Sequence, residues 1–312
     1  MLDPQAQALL QLLKDRGVAP VHTLTPQAAR EVYLVRRAVT QPDPPAVSTV
    51  RDHAVPAGAT RLRVREYRPA VAAPAGRALP ALVYLHGGGW TIGDVDTHDV
   101  LCRSLCVEAG CVVLSVDYRL APEHPFPAAF DDTLLAFRWA AGRAAELGID
   151  ATRMAIGGDS AGGNLAAAAC LALLGDAVRP AFQLLIYPAT DQRAIAPSHS
   201  SNAQGYLLTS DSIQWFRGHY LPSAADWTDW RASPLLARSH AGLPAALVLT
   251  AGFDPLRDEG LQYADALSAA GVHAEYVCFE RQIHGFITMG RVLREAQTAV
   301  TLCAGALRAA LA

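Results

Sequence analysis

A serine lies between closely spaced glycines just after a predicted strand that ends at Ile156, in the segment GGDSAGG at residues 157–163. A strand-to-helix turn this tight excludes larger side chains at the flanking positions and lifts the hydroxyl of Ser160 above the sheet edge. The amino terminus of the following helix also favours negative charge that develops there. From this motif alone, Asp159 or Ser160 could equally serve as a helix cap, with the glycines allowing close packing. The spacing does not match the dinucleotide fingerprint GxGxxG, and no lysine follows to make a phosphate-binding loop.

A second glycine run, HGGGW at residues 86–90, follows a predicted strand that ends at Leu85. Consecutive glycines allow several backbone N–H groups to converge on one anion without side chains in the way. A flexible turn is the alternative interpretation, but it would not require glycine-rich loops at the ends of two strands expected to be neighbours. Together, the two loops indicate a nucleophile beside an oxyanion hole, which is the machinery of acyl transfer.

A serine nucleophile needs a histidine as its base and a carboxylate that orients the histidine, in the chain order serine, acid, histidine for this architecture. His284 comes just after the last predicted strand and is the best-placed candidate. Three of the other histidines after Ser160 lie in an irregular interval, and His273 begins a strand, at the wrong end of the sheet.

The carboxylate should follow the strand before that one, and Asp254 stands just beyond Leu249. We predict Asp254 as the acid, although Asp254-Pro255 would also make a good cap for the next helix. Asp258 and Glu259, one turn further on, are the less favoured alternatives.

The composition excludes several classes of protein. The chain has 312 residues, 51% of them hydrophobic and 18% charged, with a formal net charge of −3 and Lys14 as its one lysine. This balance gives no basic face for nucleic acid. The first residues, from Met1 to Pro4, lack the basic start of a signal peptide, and no apolar stretch is as long as a membrane span. We therefore expect a cytoplasmic protein without stable membrane insertion.

No metal or cofactor is expected. The six cysteines are spread through the chain and form no disulfide framework or zinc pattern, although Cys102 and Cys106 are one helical turn apart. Asp94, Asp96 and Asp99 lack the glycine and the terminal glutamate of a calcium loop, so a role at a helix entry is the better interpretation.

The rest of the chain alternates between short apolar runs and helical patterns, which predicts a mostly parallel sheet with helices on both faces. Ligands of such sheets bind beyond the carboxyl ends of the strands. Two amphipathic helices come first, at about 2–16 and from Thr25-Pro26 to about residue 40, and residues 191–240 contain no obvious strand. In the second helix, Ala28, Val32, Val35 and Val39 fall on one stripe, which we expect to pack onto the protein. The predicted strands are Ala81 to Leu85, Val112 to Val116, Met154 to Ile156, Phe182 to Ile186, Ala246 to Leu249 and Ala274 to Phe279; the predicted helices between them include Phe126 to Ala141, Ala161 to Leu174 and Gly260 to Ala270.

The sequence resembles the bacterial hormone-sensitive-lipase-like, or family IV, carboxylesterases of the α/β-hydrolase fold. The resemblance covers nearly the whole chain in the expected order, and it rests on HGGGW at 86–90, YRLAPEHPFP at 118–127, GDSAGG at 158–163, DPLRDE at 254–259 and HGF at 284–286.

The resemblance implies a single α/β-hydrolase domain over residues 1–312, with a helical cap built from about 1–45 and 191–240. It also implies a triad of Ser160, Asp254 and His284, and an oxyanion hole formed by the N–H groups of Gly88, Gly89 and Ala161. Trp90 is expected either to line the pocket or to be a buried structural ring. The implied reaction is hydrolysis of small esters with short-to-medium acyl chains, without a cofactor.

Two alternatives stay open: an amidase, lactonase or carbohydrate deacetylase with the same groups, or a small-ligand receptor without catalysis. A homodimer is also possible if the last strand, Ala274 to Phe279, is an exposed edge.

Overall fold

The fold is an eight-stranded sheet with helices on both faces, as seen in a computed structural model that describes residues 1–58, 60–70 and 78–312. The strands are β1 (Thr49–Ala57), β2 (Thr60–Arg68), β3 (Leu79–Leu85), β4 (Val112–Asp117), β5 (Ile149–Asp159), β6 (Phe182–Ile186), β7 (Ala245–Phe253) and β8 (Ala274–Ile283). The helices are α1 (Pro4–Asp15), α2 (Pro26–Thr40), α3 (Asp99–Ala109), α4 (Ala128–Gly142), α5 (Ala144–Leu147), α6 (Ala161–Ala172), α7 (Pro197–Ser201), α8 (Ser210–Tyr220), α9 (Arg257–Ala269) and α10 (Glu295–Ala310).

The strand order in the sheet is β1-β2-β4-β3-β5-β6-β7-β8. The pairs β1–β2 and β2–β4 are antiparallel, and the remaining pairs are parallel. The parallel strands are buried on both sides and therefore consist of nearly continuous apolar runs. Their carboxyl ends lie along one edge, which brings the loops after β3, β5, β7 and β8 close together.

Each face of the sheet has its own hydrophobic core. One core packs α4, α6 and α9 against the sheet, and the other packs α1, α3 and α10 against the opposite face. Burying both faces holds the strands, and with them the loops at their carboxyl ends, in a fixed arrangement.

The predicted mostly parallel α/β sheet is confirmed, and all six predicted strands are present. Sequence reasoning missed β1, β2, α3 and α10. β1 is an edge strand whose exposed positions carry polar residues such as Arg51 and Asp52, so no apolar run marks it. In β2, Arg63 separates the buried side chains of Leu62 and Val64, and Arg61 and Arg65 flank them, so no apolar run marks this strand either.

The two amino-terminal helices differ in how well the sequence predicts them. α1 begins as expected, with the Asp3 carboxylate accepting from the N–H of Gln5 at 2.7 Å and with Pro4 in the first turn. The predicted packing stripe of α2 is wrong, because Val32, Val35 and Val39 are 44%, 70% and 60% exposed.

The face of α2 that meets the protein carries polar groups. Arg30 donates to the carbonyls of Thr91 and Ala121, and Arg37 donates to the carbonyl of Asp96. Apolar periodicity therefore selects the wrong side of a helix that long polar side chains anchor.

Residues 191–240 are all described and contain α7, α8 and two 3-10 helices, Ala224–Thr228 and Pro234–Leu236, with no strand among them. The interval thus interrupts the alternation of strands and helices, as predicted. Its role as part of a cap stays a prediction at this point.

The cysteines are free thiols, and the aspartates weighed as calcium ligands make hydrogen bonds within the fold. All six cysteines are free thiols, and burial raises the pKa of Cys106 to about 12. Asp94 accepts from the N–H groups of Asp96 and Thr97, and Asp99 begins α3 and accepts from the Tyr67 hydroxyl. Within the described ranges, no helix is long and apolar enough to cross a membrane.

Candidate active site

Ser160 stands at the turn between β5 and α6 with a backbone conformation that non-glycine residues rarely adopt, φ 56° and ψ −116°. Its N–H donates to the carbonyl of Ile186 at 2.8 Å, which fixes the turn to the end of β6. A Cβ at Gly162 would lie 1.9 Å from the carbonyl oxygen of Leu85, so only glycine allows α6 to approach β3 this closely. The resulting turn is the sharp strand-to-helix corner on which a nucleophile can be presented.

His284 connects Ser160 to a buried carboxylate. Its Nε2 lies 2.9 Å from the Ser160 Oγ, and its Nδ1 lies 2.7 Å from Asp254 Oδ2. Asp254 is fully buried, and its Oδ1 accepts from the N–H of Leu256 at 2.8 Å. The three side chains therefore form one hydrogen-bonded chain in which the histidine can accept a proton from the serine.

The two alternative carboxylates face other groups. Asp258 accepts from Arg257 and from the N–H of Ser198, and Glu259 lies 2.6 Å from the Nε2 of His199. Of the three carboxylates weighed from the sequence, Asp254 is the one that contacts His284.

The N–H groups of Gly88, Gly89 and Ala161 are candidates for binding an oxyanion. Gly88 and Gly89 have positive φ angles of 125° and 56°, and Ala161 is the first residue of α6. Among the described residues, none of the three N–H groups has a hydrogen-bond partner. Unpaired donors beside a serine can bind the charge that develops on a carbonyl oxygen.

Asp159, which sequence reasoning considered only as a helix cap, is a buried carboxylate next to Ser160. Its Oδ1 accepts from the Tyr84 hydroxyl at 2.7 Å and from the N–H of Gly87 at 2.9 Å, and the Nε2 of His98 lies 3.2 Å away. Burial by itself raises the pKa of Asp159, but the charge and hydrogen bonds of His98 and Tyr84 lower it overall. The carboxylate thereby joins the serine turn to the glycine loop at Gly87.

The signal in the sequence for this role is weak, because Asp159 and His98 are 61 residues apart and each alone is unremarkable. A charged residue directly before a presented serine is the one clue. Such a charge needs buried partners.

A cavity of about 490 Å³ lies above Ser160 and His284. Side chains from the amino-terminal segment, such as Leu13 and Val21, and from residues 191–240, such as Leu208 and Phe216, line its apolar walls. Trp90 also lines this cavity, and it is 4% exposed and stacks on the Tyr220 ring at 4.5 Å between centroids. Trp90 is thus a buried ring at the cavity wall, and its contact with a substrate stays a prediction.

Residues 82–288 match the model of a family described by its α/β-hydrolase fold. Among curated relatives, the carboxylic ester hydrolase LipN of Mycobacterium tuberculosis is 44% identical over 296 residues, which cover 92% of this chain and 77% of that protein. An ethyl acetate hydrolase of Pseudomonas putida is 40% identical over 323 residues and 98% of both chains.

Solved structures of esterases superpose on nearly the whole chain. An α/β-hydrolase enzyme from the metagenome of Lake Arreo, Spain, is 44% identical with a TM-score of 0.94, covering 99% of this chain and 98% of that one. An ester hydrolase from the same metagenome, complexed with a derivative of bipyridine phosphonate, is 45% identical with a TM-score of 0.93 and covers 99% of both chains.

Proposed function

The chain belongs to the α/β-hydrolase family, as a carboxylic ester hydrolase of the hormone-sensitive-lipase-like group, and from this premise we propose that it hydrolyses small esters through Ser160, His284 and Asp254. The observation that carries the proposal is the hydrogen-bonded chain from Asp254 through His284 to Ser160 at the floor of the cavity.

In the proposed mechanism, Ser160 Oγ attacks the carbonyl carbon of the ester while His284 Nε2 accepts the hydroxyl proton. Asp254 holds the imidazole in the required tautomer and stabilises its cation. The N–H groups of Gly88, Gly89 and Ala161 bind the oxyanion of the tetrahedral intermediate.

Collapse of this intermediate breaks the ester C–O bond, and His284 donates its proton to the departing alcohol. The acyl group is then bonded to Ser160. A water molecule attacks the acyl carbon as His284 accepts one of its protons, and the return of that proton to Oγ releases the carboxylic acid and the free serine. No step calls on a metal or a cofactor.

We further propose that residues 1–45 and 191–240 act as one cap within a single domain of residues 1–312. Both segments supply side chains to the wall of the catalytic cavity, which supports a shared role in binding the substrate. A cavity of about 490 Å³ with mostly apolar walls suits short-to-medium acyl chains. The cytoplasm, where thiols stay reduced, is the proposed compartment, since all six cysteines are free.

The test is the turnover of p-nitrophenyl esters as a function of acyl length, combined with labelling by an organophosphate. Replacing Ser160 with Ala should lower kcat by at least about 10⁴-fold and abolish labelling, because the variant lacks the attacking oxygen. An unchanged circular dichroism spectrum is the control for folding. Labelling of the variant at the wild-type rate would place the nucleophile elsewhere and refute the proposal.

A further inference from the structure

A second histidine–carboxylate pair faces the same cavity as Ser160. The Nε2 of His199, in α7, lies 2.6 Å from Glu259 Oε2, in α9, and both residues line the cavity. The proposed mechanism uses neither residue. Both are buried, the side chain of His199 being 8% exposed and that of Glu259 1%.

Glu259 is held in a single orientation by the loop after β6. Its Oε1 accepts from the N–H of Thr190 at 2.6 Å and from the N–H of Asp191 at 3.3 Å, and its carbonyl accepts from the Thr190 hydroxyl. With both carboxylate oxygens engaged, Glu259 fixes the plane of the His199 ring. A ring fixed in this way can recognise a ligand without further ordering.

The other ring nitrogen of His199 is available. Among the described residues, its Nδ1 has no hydrogen-bond partner, and the ring keeps some accessible surface where it lines the cavity. The contrast with His284 is direct, because both ring nitrogens of that residue are engaged, by Asp254 and by Ser160. Within the part of the chain that the structure describes, no serine hydroxyl bonds to the His199 ring, so the pair is suited to binding rather than to activating a nucleophile.

We propose that His199 is a specificity-determining residue that hydrogen-bonds a hydroxyl group of the ester substrate. A hydroxyl fits because it can donate to Nδ1 or accept from it, and so pairs with either tautomer of the ring. The other walls of the cavity include aliphatic side chains such as Leu13, Leu208 and Leu256, which favours a single hydroxyl on an otherwise apolar ester. The inference rests on the proposed function, because it needs the ester to be bound at Ser160.

The experiment compares kcat/KM for matched esters with and without a hydroxyl. Ethyl hexanoate is paired with its 3-hydroxy and 6-hydroxy analogues, and hexyl acetate with 6-hydroxyhexyl acetate, so that both the acyl and the alcohol portion are sampled. The wild-type chain is compared with His199→Gln. The amide of glutamine can still donate to Glu259, as the ring Nε2 does, but it has no equivalent of Nδ1.

We expect His199→Gln to lower kcat/KM at least five-fold for one or more hydroxylated esters and to leave the plain esters within two-fold of wild type. His199→Phe should also lower kcat/KM for the same hydroxylated esters. It should lower Tm as well, because it leaves Glu259 without the His199 ring as its partner. Two results for His199→Gln would overturn the proposal: an equal loss of kcat/KM for hydroxylated and plain esters, or no loss for any hydroxylated ester. The pair of His199 and Glu259 would then serve only to connect α7 and α9.

Failure of the proposed function has a different signature. In that case the wild-type chain would hydrolyse none of the plain esters faster than Ser160→Ala does. If the wild-type chain hydrolyses the plain esters but His199→Gln leaves kcat/KM unchanged for every hydroxylated ester, the role of His199 is refuted and the proposed function stands.

Discussion

The floor of the cavity and the amino-terminal segment above it are held in different ways. The floor consists of the loops after β3, β5, β7 and β8, and its carboxylates Asp254 and Asp159 are buried and hydrogen-bonded. The amino-terminal segment, residues 1–45, contains α1, in which Ala6 and Leu9 are buried, and α2, in which Ala29 and Thr40 are buried.

Polar contacts are the main link between α2 and the body. Arg30 bonds to Glu123 as well as to the carbonyls of Thr91 and Ala121, and the amide of Gln41 donates to the carbonyl of Thr97. Burial makes the floor rigid, whereas α2 relies on polar contacts, of which the exposed pair between Arg30 and Glu123 contributes little free energy. From this comparison we expect the chemistry to depend on the floor and access to the cavity to depend on α2.

The largest effect should come from the buried acid of the floor. Asp254→Asn keeps the shape of the side chain but favours the wrong tautomer of His284, so kcat should fall by about 10⁴-fold. Asp258→Asn, on the same segment but bonded to Arg257, is the matched control and should stay within about ten-fold of wild type. Steady-state kinetics on one p-nitrophenyl ester measures both. Comparable losses in the two variants would contradict the assignment of Asp254 as the acid.

The second largest loss of kcat is expected for Gly87→Ala, at the point where the two glycine loops meet. A Cβ at Gly87 would lie 2.3 Å from Asp159 Oδ2, so Gly87→Ala must displace the loop that carries Gly88 and Gly89. A shift of about 1 Å in groups that bind the transition state costs about 10²-fold in kcat.

Gly305→Ala is the control for the substitution itself, because a Cβ at Gly305, within α10, meets nothing within 4 Å. It should leave kcat unchanged and raise Tm slightly. A wild-type kcat in Gly87→Ala would show that the loop tolerates displacement and that the floor is less rigid than its contacts indicate.

The smallest effect is expected at the amino-terminal segment. Arg30→Met removes the bonds to Glu123, Thr91 and Ala121, and should raise KM about two- to five-fold with kcat nearly unchanged, because α2 then covers the cavity less firmly. Glu123→Gln removes the ion pair but keeps the two carbonyl bonds of Arg30, so its effect should be smaller still. A fall in kcat without a change in KM would contradict this prediction, because it would mean that Arg30 helps to position the loops of the floor.

The pH dependence of this contact has a definite sign. The hydrogen bond from Arg30 lowers the pKa of Glu123 from 4.5 to about 2. A carboxyl with a lowered pKa stabilises the folded arrangement above its ordinary pKa, and this contribution is lost as the pH falls from 4.5 toward about 2. The ratio of KM between Arg30→Met and wild type should therefore be constant from about pH 5 to 9. A change in this ratio across that range would mean that another titrating group controls α2.

Much of the fold could be predicted because its signals are local. The strand from Phe182 to Ile186 is a buried apolar run and has the predicted bounds, and Asp3-Pro4 has the chemistry of a helix start. β1 and the buried face of α2 could not be predicted in this way. An edge strand needs no apolar run, and α2 meets the protein through Arg30 and Arg37 rather than through its valines.

The sequence by itself determined the residue types of the candidate site and their order along the chain, because a presented serine needs flanking glycine and each reactive group must follow a strand. Only the tertiary structure decided which carboxylate faces which histidine. Asp254 and Glu259 are five residues apart in the chain, yet the first contacts His284 and the second contacts His199. The physical reason is that the pairing of buried polar groups depends on how distant segments pack. Neither the hydrophobic periodicity nor the residue spacing of a local stretch of sequence contains that information.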